Sequence, residues 1–209
     1  FIGQEGTLGI ITKATVRLRE LPQSVVGLMA YFSNRDTALD FVERARAEAR
    51  KDSSAPLSPR CIEYLDHHCL ELARKRVGDV PEEAHCALFC EQEISLDEEL
   101  HLEAWWEALE ACGALSDHTL FAADPPSQQQ LHTLRHAIPA GVNEEVIRNK
   151  MPKVGTDLAV PNERLRDMMD AYEASPLPYV LFGHIGDNHL HLNLLPKTED
   201  ELTVAPAYY

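Results

Sequence analysis

Short apolar runs and helical stripes take turns along the chain, and their spacing predicts its elements. SVVGLMAYF at residues 24–32 reads as a strand. The stretch at 34–52 then puts Leu39, Phe41, Val42, Ala45 and Ala49 on one helical stripe, with Asn34 at the N-cap. Residues 61–77 start extended and become helical, and AHCALFCEQEI at 84–94 reads as a strand. Two helices follow. One covers 95–112 and opens with the capping box Ser95-x-x-Glu98; the other covers 125–138 and opens with Ser127-x-x-Gln130. VGTDLAVP at 154–161 reads as a strand stopped by Pro161. Residues 162–175 form a helix with Leu165, Met168, Met169 and Tyr172 on one face, and 179–196 read as a strand pair.

The first twenty residues differ. Gly3, Gly6 and Gly9 precede a strand-like run at 9–18 with Ile11, Ala14, Val16 and Leu18 mostly alternating, and Leu21-Pro22 closes the segment. This predicts a domain end and crossover over 1–22 and a separate domain over 23–209. Strands separated by single helices would suit a parallel sheet. The hairpin at 179–195 points instead to an α+β fold: an antiparallel or mixed sheet with helices mainly on one side.

That hairpin contains GHIGDNHLHLN at 183–193, with three histidines in eight positions. A two-residue turn at Asp187-Asn188 predicts pairing of 184 with 191 and of 182 with 193. One face then carries Leu181, Ile185, Leu190, Leu192 and Leu194. The other carries Phe182, His184, His189, His191 and Asn193. Opposed residues in such a pair have Cβ atoms about 4.5–5.5 Å apart, which suits two imidazoles on one divalent ion. The alternative is a polar strand face of hydrogen-bonded histidines without metal.

Composition narrows the partners. The net charge is −15, which disfavours nucleic acid and anionic membranes. No apolar run reaches the roughly 20 residues of a membrane span, and no signal peptide is evident. With Phe1 in place of an initiator Met, the sequence reads as a piece of a longer protein. The five cysteines form no C-x-x-C pair, and Cys86 and Cys90 fall on one strand face as buried thiols of a reducing compartment. A cytoplasmic protein is expected, with peripheral membrane association of the full-length form as the alternative.

A small acid substrate would need a cation. Arg135 borders the stripe made by Leu131, Leu134 and Ile138, and its fork matches a carboxylate; the alternative is an arginine stretched along its helix surface. Lys150 and Lys153 precede a strand and could reach a pocket or stay solvated. Asp157 is a candidate acceptor for a lysine or histidine. His67, His68, His118, His132 and His136 have no distinguishing spacing and read as surface or structural residues.

Together these pieces resemble a family. GQEGTLGIITKATVRL resembles the closing flavin-domain segment of FAD-linked oxidases of the vanillyl-alcohol-oxidase type. LRHAIP, PKVGTDLAVP and FGHIGDNHLHLNLLP resemble the C-terminal substrate domain of the D-lactate, glycolate and D-2-hydroxyglutarate dehydrogenase branch, which has ferredoxin-like elements. The resemblance implies a flavoprotein oxidoreductase acting on the CH–OH group of D-2-hydroxy acids. Glu5, Gly6, Thr7 and Gly9 would lie near FAD, most of which would be bound by a preceding domain. His184 and His191 match metal ligands, for zinc first and manganese or iron as alternatives. Asn193 matches a substrate contact, and Arg135 matches the carboxylate-binding arginine. Two positions depart from the family pattern. Asn188 and His189 stand where relatives have Gly and Asn. The substrate lysine of relatives falls at Gly155, which makes Lys153 the nearest lysine. The remaining metal ligand, a glutamate followed by a histidine often assigned as base, has no counterpart before Tyr209, so the domain is expected to be truncated and this piece inactive alone. A homodimer is compatible with this picture, and the electron acceptor is open. The alternatives are a divalent-metal hydrolase, which lacks an H-E-x-x-H or H-x-x-E-H motif here, and a non-catalytic metal-binding or interaction domain.

Overall fold

The computed structural model describes residues 1–209 except Ile2, Glu5, Arg19, Ser53, Ser54, Asp79, residues 95–97 and Tyr209. In chain order the main elements are β1 (Ser24–Phe32), α1 (Arg35–Lys51), β2 (Cys61–Leu65), α2 (His67–Val77), β3 (Cys86–Ile94), α3 (Glu98–Ala111), β4 (Leu120–Ala122), α4 (Pro125–Asn149), β5 (Val154–Gly155), β6 (Leu158–Ala159), α5 (Leu165–Glu173), β7 (Tyr179–His184), β8 (His189–Leu194) and α6 (Glu199–Val204). The strands form one sheet in the order β4-β1-β3-β2-β7-β8-β5, with β6 also on β8. Each of these neighbouring pairs is antiparallel.

The fold is α+β, as expected. Since β3 pairs antiparallel with both β1 and β2, it splits the β1–α1–β2 unit, and the order 4-1-3-2 of the first four strands is the ferredoxin-like arrangement. Alternate residues of the central strands supply two apolar layers. Leu28, Ala30, Phe32, Leu88 and Cys90 pack with α1, α3 and α5, among them Phe41, Trp105 and Met169. Met29, Tyr31, Ala87 and Phe89 pack with α2 and α4, among them Leu70, Leu131 and Ile138. Helices are expected mainly on one side; instead three cover one face and two the other, because β1 and β3 are apolar on both sides. Cys86 and Cys90 share the first layer, and all five thiols are free.

Local chemistry explains the boundaries. Asn34 caps α1, its side chain accepting from the Asp36 amide at 2.7 Å. The capping box expected at Ser95 lies outside the described residues. Ser127 does not cap α4. Asp124 does, accepting from the Ser127 amide at 3.1 Å. Pro125 and Pro126 fit the first turn, where amide hydrogens have no helical partner. The helix runs on through Pro139 to Asn149, and Leu131, Leu134, Ile138 and Val142 form its buried stripe.

Two expected strands change. Residues 9–18 form none, and 6–18 are exposed: among the described residues no strand pairs with their backbone. Residues 154–161 split into β5 and β6, with Thr156 between them: its hydroxyl accepts from the Leu192 amide at 3.0 Å and pairs with the Tyr172 hydroxyl at 3.1 Å.

The hairpin register also differs. His184 pairs with His189, Phe182 with His191 and Val180 with Asn193. The loop is longer than two residues because Ile185 buries itself in the α1/α3/α5 layer. A 3-10 turn then covers Ile185–Asp187 and Asn188 adopts φ 55°, its side chain donating to Val160 O at 3.1 Å and Asn162 Oδ1 at 2.8 Å. The shift is two residues, so no side chain changes face. Leu181, Leu190, Leu192 and Leu194 stay in one apolar layer, and Phe182 packs on the other side of the sheet. No helix of the described residues is long and apolar enough to cross a membrane.

Candidate functional site

The face carrying α2 and α4 gathers the polar side chains of β2, β8, α4 and the β5–β6 segment. Glu63 anchors it. This residue is a buried carboxylate within the strand CIEYL. It accepts from Arg135 Nε and Nη2, each at 2.6 Å. These hydrogen bonds raise Arg135 above the ordinary arginine value, against the lowering effect of its partial burial. Phe89 supports the guanidinium from 5.9 Å. Two of the five guanidinium N–H groups face Glu63, and Nη1 is not part of that pair. His184 Nδ1 lies 3.4 Å from Glu63 Oε1, so one buried carboxylate joins the arginine to the first hairpin histidine.

The second half of the site lies along β8. Lys153 Nζ donates to Asn193 Oδ1 at 2.6 Å, and Asn193 Nδ2 donates to His191 O at 3.1 Å. Asn193 is 2% exposed, beside Gly155 in the β5–β8 pair. A Cβ at Gly155 would stand 3.6 Å from Asn193 Oδ1. His189 Nε2 and Asp157 Oδ1 are 2.7 Å apart. His191 Nδ1 lies 3.4 Å from the same oxygen and 3.3 Å from Thr156 O. A proton on Nδ1 would meet both acceptors and leave Nε2 as the lone-pair nitrogen.

Asp157, His189 and His191 each offer one ligand atom, all within 4.8 Å of one another. The ring centroids of His184, His189 and His191 are separated by 6.0, 5.8 and 4.7 Å. Three imidazoles on a tetrahedral ion with bonds of 2.0–2.1 Å would have centroids about 5 Å apart. Asp157, His189 and His191 therefore fit a divalent ion in donor type and spacing, and His184, turned toward Glu63, stands outside that group. The backbone enforces this closeness at Gly183, where φ is +142° and a Cβ would come within 2.9 Å of His189 O and His191 Cδ2.

Arg135, Lys153, Asn193, His184 and His191, singled out from sequence, therefore lie on one face, with Asp157 as a histidine acceptor. The expected opposition of His184 and His191 is replaced by that of His184 and His189, through the longer loop. Lys150, in the left-handed C-cap of α4, has no role in this constellation. Gly6, Thr7 and Gly9 belong to the exposed N-terminal segment, and Glu5 lies outside the described residues. Glu63 was missed, although a lone carboxylate in an otherwise apolar strand was a readable signal.

Residues 21–208 match the family described as FAD linked oxidases, C-terminal domain. The glycolate oxidase subunit GlcD of Bacillus subtilis is 27% identical over 197 residues, covering 91% of this chain and 39% of the relative. A probable mitochondrial D-lactate dehydrogenase of Danio rerio is 28% identical over 211 residues, covering 97% and 40%. A mitochondrial D-2-hydroxyglutarate dehydrogenase of Danio rerio is 24% identical over 208 residues, covering 96% and 37%. The chain thus spans about two fifths of the length of these relatives. Among solved structures, an alkyldihydroxyacetonephosphate synthase superposes with a TM-score of 0.62 at 16% identity, covering 99% of this chain and 43% of the other, which supports the fold.

Proposed function

We infer the function from one premise: the chain belongs to the family of FAD linked oxidases, C-terminal domain. It is the substrate domain of a flavin-dependent D-2-hydroxy-acid dehydrogenase or oxidase that forms the 2-oxo acid. The observation that carries this reading is the polar face itself. Arg135, a lysine–asparagine pair and three hairpin histidines stand on one side of the sheet, in a chain related to glycolate, D-lactate and D-2-hydroxyglutarate enzymes.

Residues 1–22 end the flavin domain, with Gly6, Thr7 and Gly9 near the cofactor, and 23–209 form the substrate domain. When bound, FAD accepts the hydride from the substrate carbon and a divalent ion, zinc first, acidifies the 2-hydroxyl. His184 and His191 would hold that ion as the resemblance implies, and the grouping of His191 with His189 and Asp157 supports His191 and offers those two as alternative donors. Arg135, aligned by Glu63, presents its outer N–H edge to the substrate carboxylate. Lys153 fixes the Asn193 amide, which orients the substrate oxygen.

Dye-linked turnover of the full-length protein with D-lactate, D-2-hydroxyglutarate and glycolate tests this. Oxidation of at least one acid is expected, with KM raised a hundredfold or more by Arg135→Ala. A flavin-free protein that cleaves esters or peptides would instead be a metal hydrolase.

A further inference from the structure

We propose that Asp66, His67 and His68 form a second divalent-metal site, independent of the hairpin and suited to Zn2+. Asp66 ends β2 and caps α2, and its side chain is only 3% exposed. Its two oxygens have separate tasks. Oδ1 accepts from the Cys69 amide at 2.8 Å and closes the helix cap. Oδ2 faces His68 Nδ1 at 3.2 Å. One ligand atom from each of Asp66, His67 and His68 lies within 4.8 Å of the other two. Asp66 Oδ2 and His68 Nδ1 share a hydrogen bond at 3.2 Å, close to the roughly 3.3 Å between neighbouring ligands of a tetrahedral zinc ion, so an ion would replace the shared proton with little movement of these two atoms.

The surroundings hold the ligands in place. The His67 and His68 rings are 3.8 Å apart between centroids, so they must open toward the roughly 5 Å of two imidazoles on one tetrahedral ion when the site fills. His85 stacks on His67 at 5.0 Å, and Tyr179 meets the His68 ring edge-on at 4.7 Å. The Asp66 amide donates to Leu181 O at 3.0 Å, which ties the cap to β7. Two half-buried imidazoles above a buried carboxylate form a mixed N/O set that is open to solvent on one side. Imidazole with carboxylate suits zinc better than calcium or magnesium, which take oxygen ligands. The α2 N-terminus disfavours added positive charge, and the Asp66 carboxylate offsets that effect. No residue is shared with the Asp157–His189–His191 group. An ion here would clamp the end of β2 to the first turn of α2.

The test is titration of the full-length protein with Zn2+ alone, followed by calorimetry and by bound-metal stoichiometry after dialysis. Four forms are compared: wild type, His191→Ala, Asp66→Asn and His68→Ala. Asparagine caps helices as well as aspartate does, so Asp66→Asn removes the charge and keeps the fold. His68 is partly exposed, and its replacement gives a second reading of the same site. The proposal expects His191→Ala to retain a Zn2+ site, and Asp66→Asn and His68→Ala each to weaken a site tenfold or more. It is overturned if His191→Ala abolishes all Zn2+ binding, or if Asp66→Asn and His68→Ala bind Zn2+ like the wild type.

Discussion

Arg135 and Glu63 meet through two parallel bonds, Nε to Oε2 and Nη2 to Oε1, each at 2.6 Å. The carboxylate side chain is 9% exposed and the guanidinium 34%. Removing the buried partner leaves a half-buried cation without its acceptor. Discounted for solvent screening on the arginine side, Glu63→Ala costs about 1–3 kcal/mol. Urea unfolding measures this, and Glu63→Gln, which keeps one acceptor oxygen, loses less. In the full-length enzyme both variants raise KM for the hydroxy acid, because Arg135 is no longer aligned.

Gly183 sets the spacing of the histidines. At φ +142° an alanine Cβ would stand 2.9 Å from His189 O and His191 Cδ2. Both the backbone conformation and the contact oppose it, so Gly183→Ala costs about 2–4 kcal/mol. Metal affinity falls with it, since His191 must move. Thermal unfolding with and without Zn2+ separates the two effects.

At the hairpin, His189 Nε2 and Asp157 Oδ1 stand 2.7 Å apart; Asp157→Asn removes the carboxylate charge from this pair and His189→Asn removes its imidazole. Each lowers Zn2+ affinity about 10–100-fold, read by calorimetry in an Asp66→Asn background that silences the other cluster. His191→Ala lowers it most, because His191 belongs to both the sequence-derived pair and the observed triplet. Unchanged affinity in Asp157→Asn would return the site to His184 and His191 alone.

The thiols give a pH test. Burial, reinforced by Glu63 and Glu91, pushes Cys61 up to about 11, and burial pushes Cys86 up to about 12. Burial also raises Cys69, Cys90 and Cys112. At pH 8 the native chain therefore reacts slowly with a disulfide reagent, and unfolding exposes all five thiols. The raised values also carry a sign for stability. Thiols of the unfolded chain ionise from about pH 8.5, so this contribution is complete below that pH. It is lost as pH rises toward 11 and 12. Urea midpoints at pH 8 and pH 10 check the fall.

Much of the site was legible because a strand sorts side chains by parity. Any even shift of register keeps His184, His189 and His191 on one face, so the partition survived an incorrect loop length. The loop itself was not legible. Its length depends on burial of Ile185 and on the bonds Asn188 makes to Val160 and Asn162, which are tertiary facts. Arg135 could be placed from the edge of its helical stripe. Its partner could not, since β2 meets α4 only through the fold. The cap of α4 was misassigned because Asp124-Pro125-Pro126 is a stronger helix opening than Ser127-x-x-Gln130. The strand-like run at 9–18 had the right pattern and lacked a partner, and pattern alone cannot supply one.

The central claim is that this face binds a D-2-hydroxy acid beside a flavin. Anaerobic mixing of the full-length flavoprotein with D-lactate or D-2-hydroxyglutarate, followed by the yellow flavin absorbance, tests it most directly. The account predicts bleaching by a D-2-hydroxy acid and not by its L-enantiomer, and bleaching by that acid suppressed in Arg135→Ala. A flavin that stays oxidised with every 2-hydroxy acid offered, or bleaching untouched by Arg135→Ala, would contradict it.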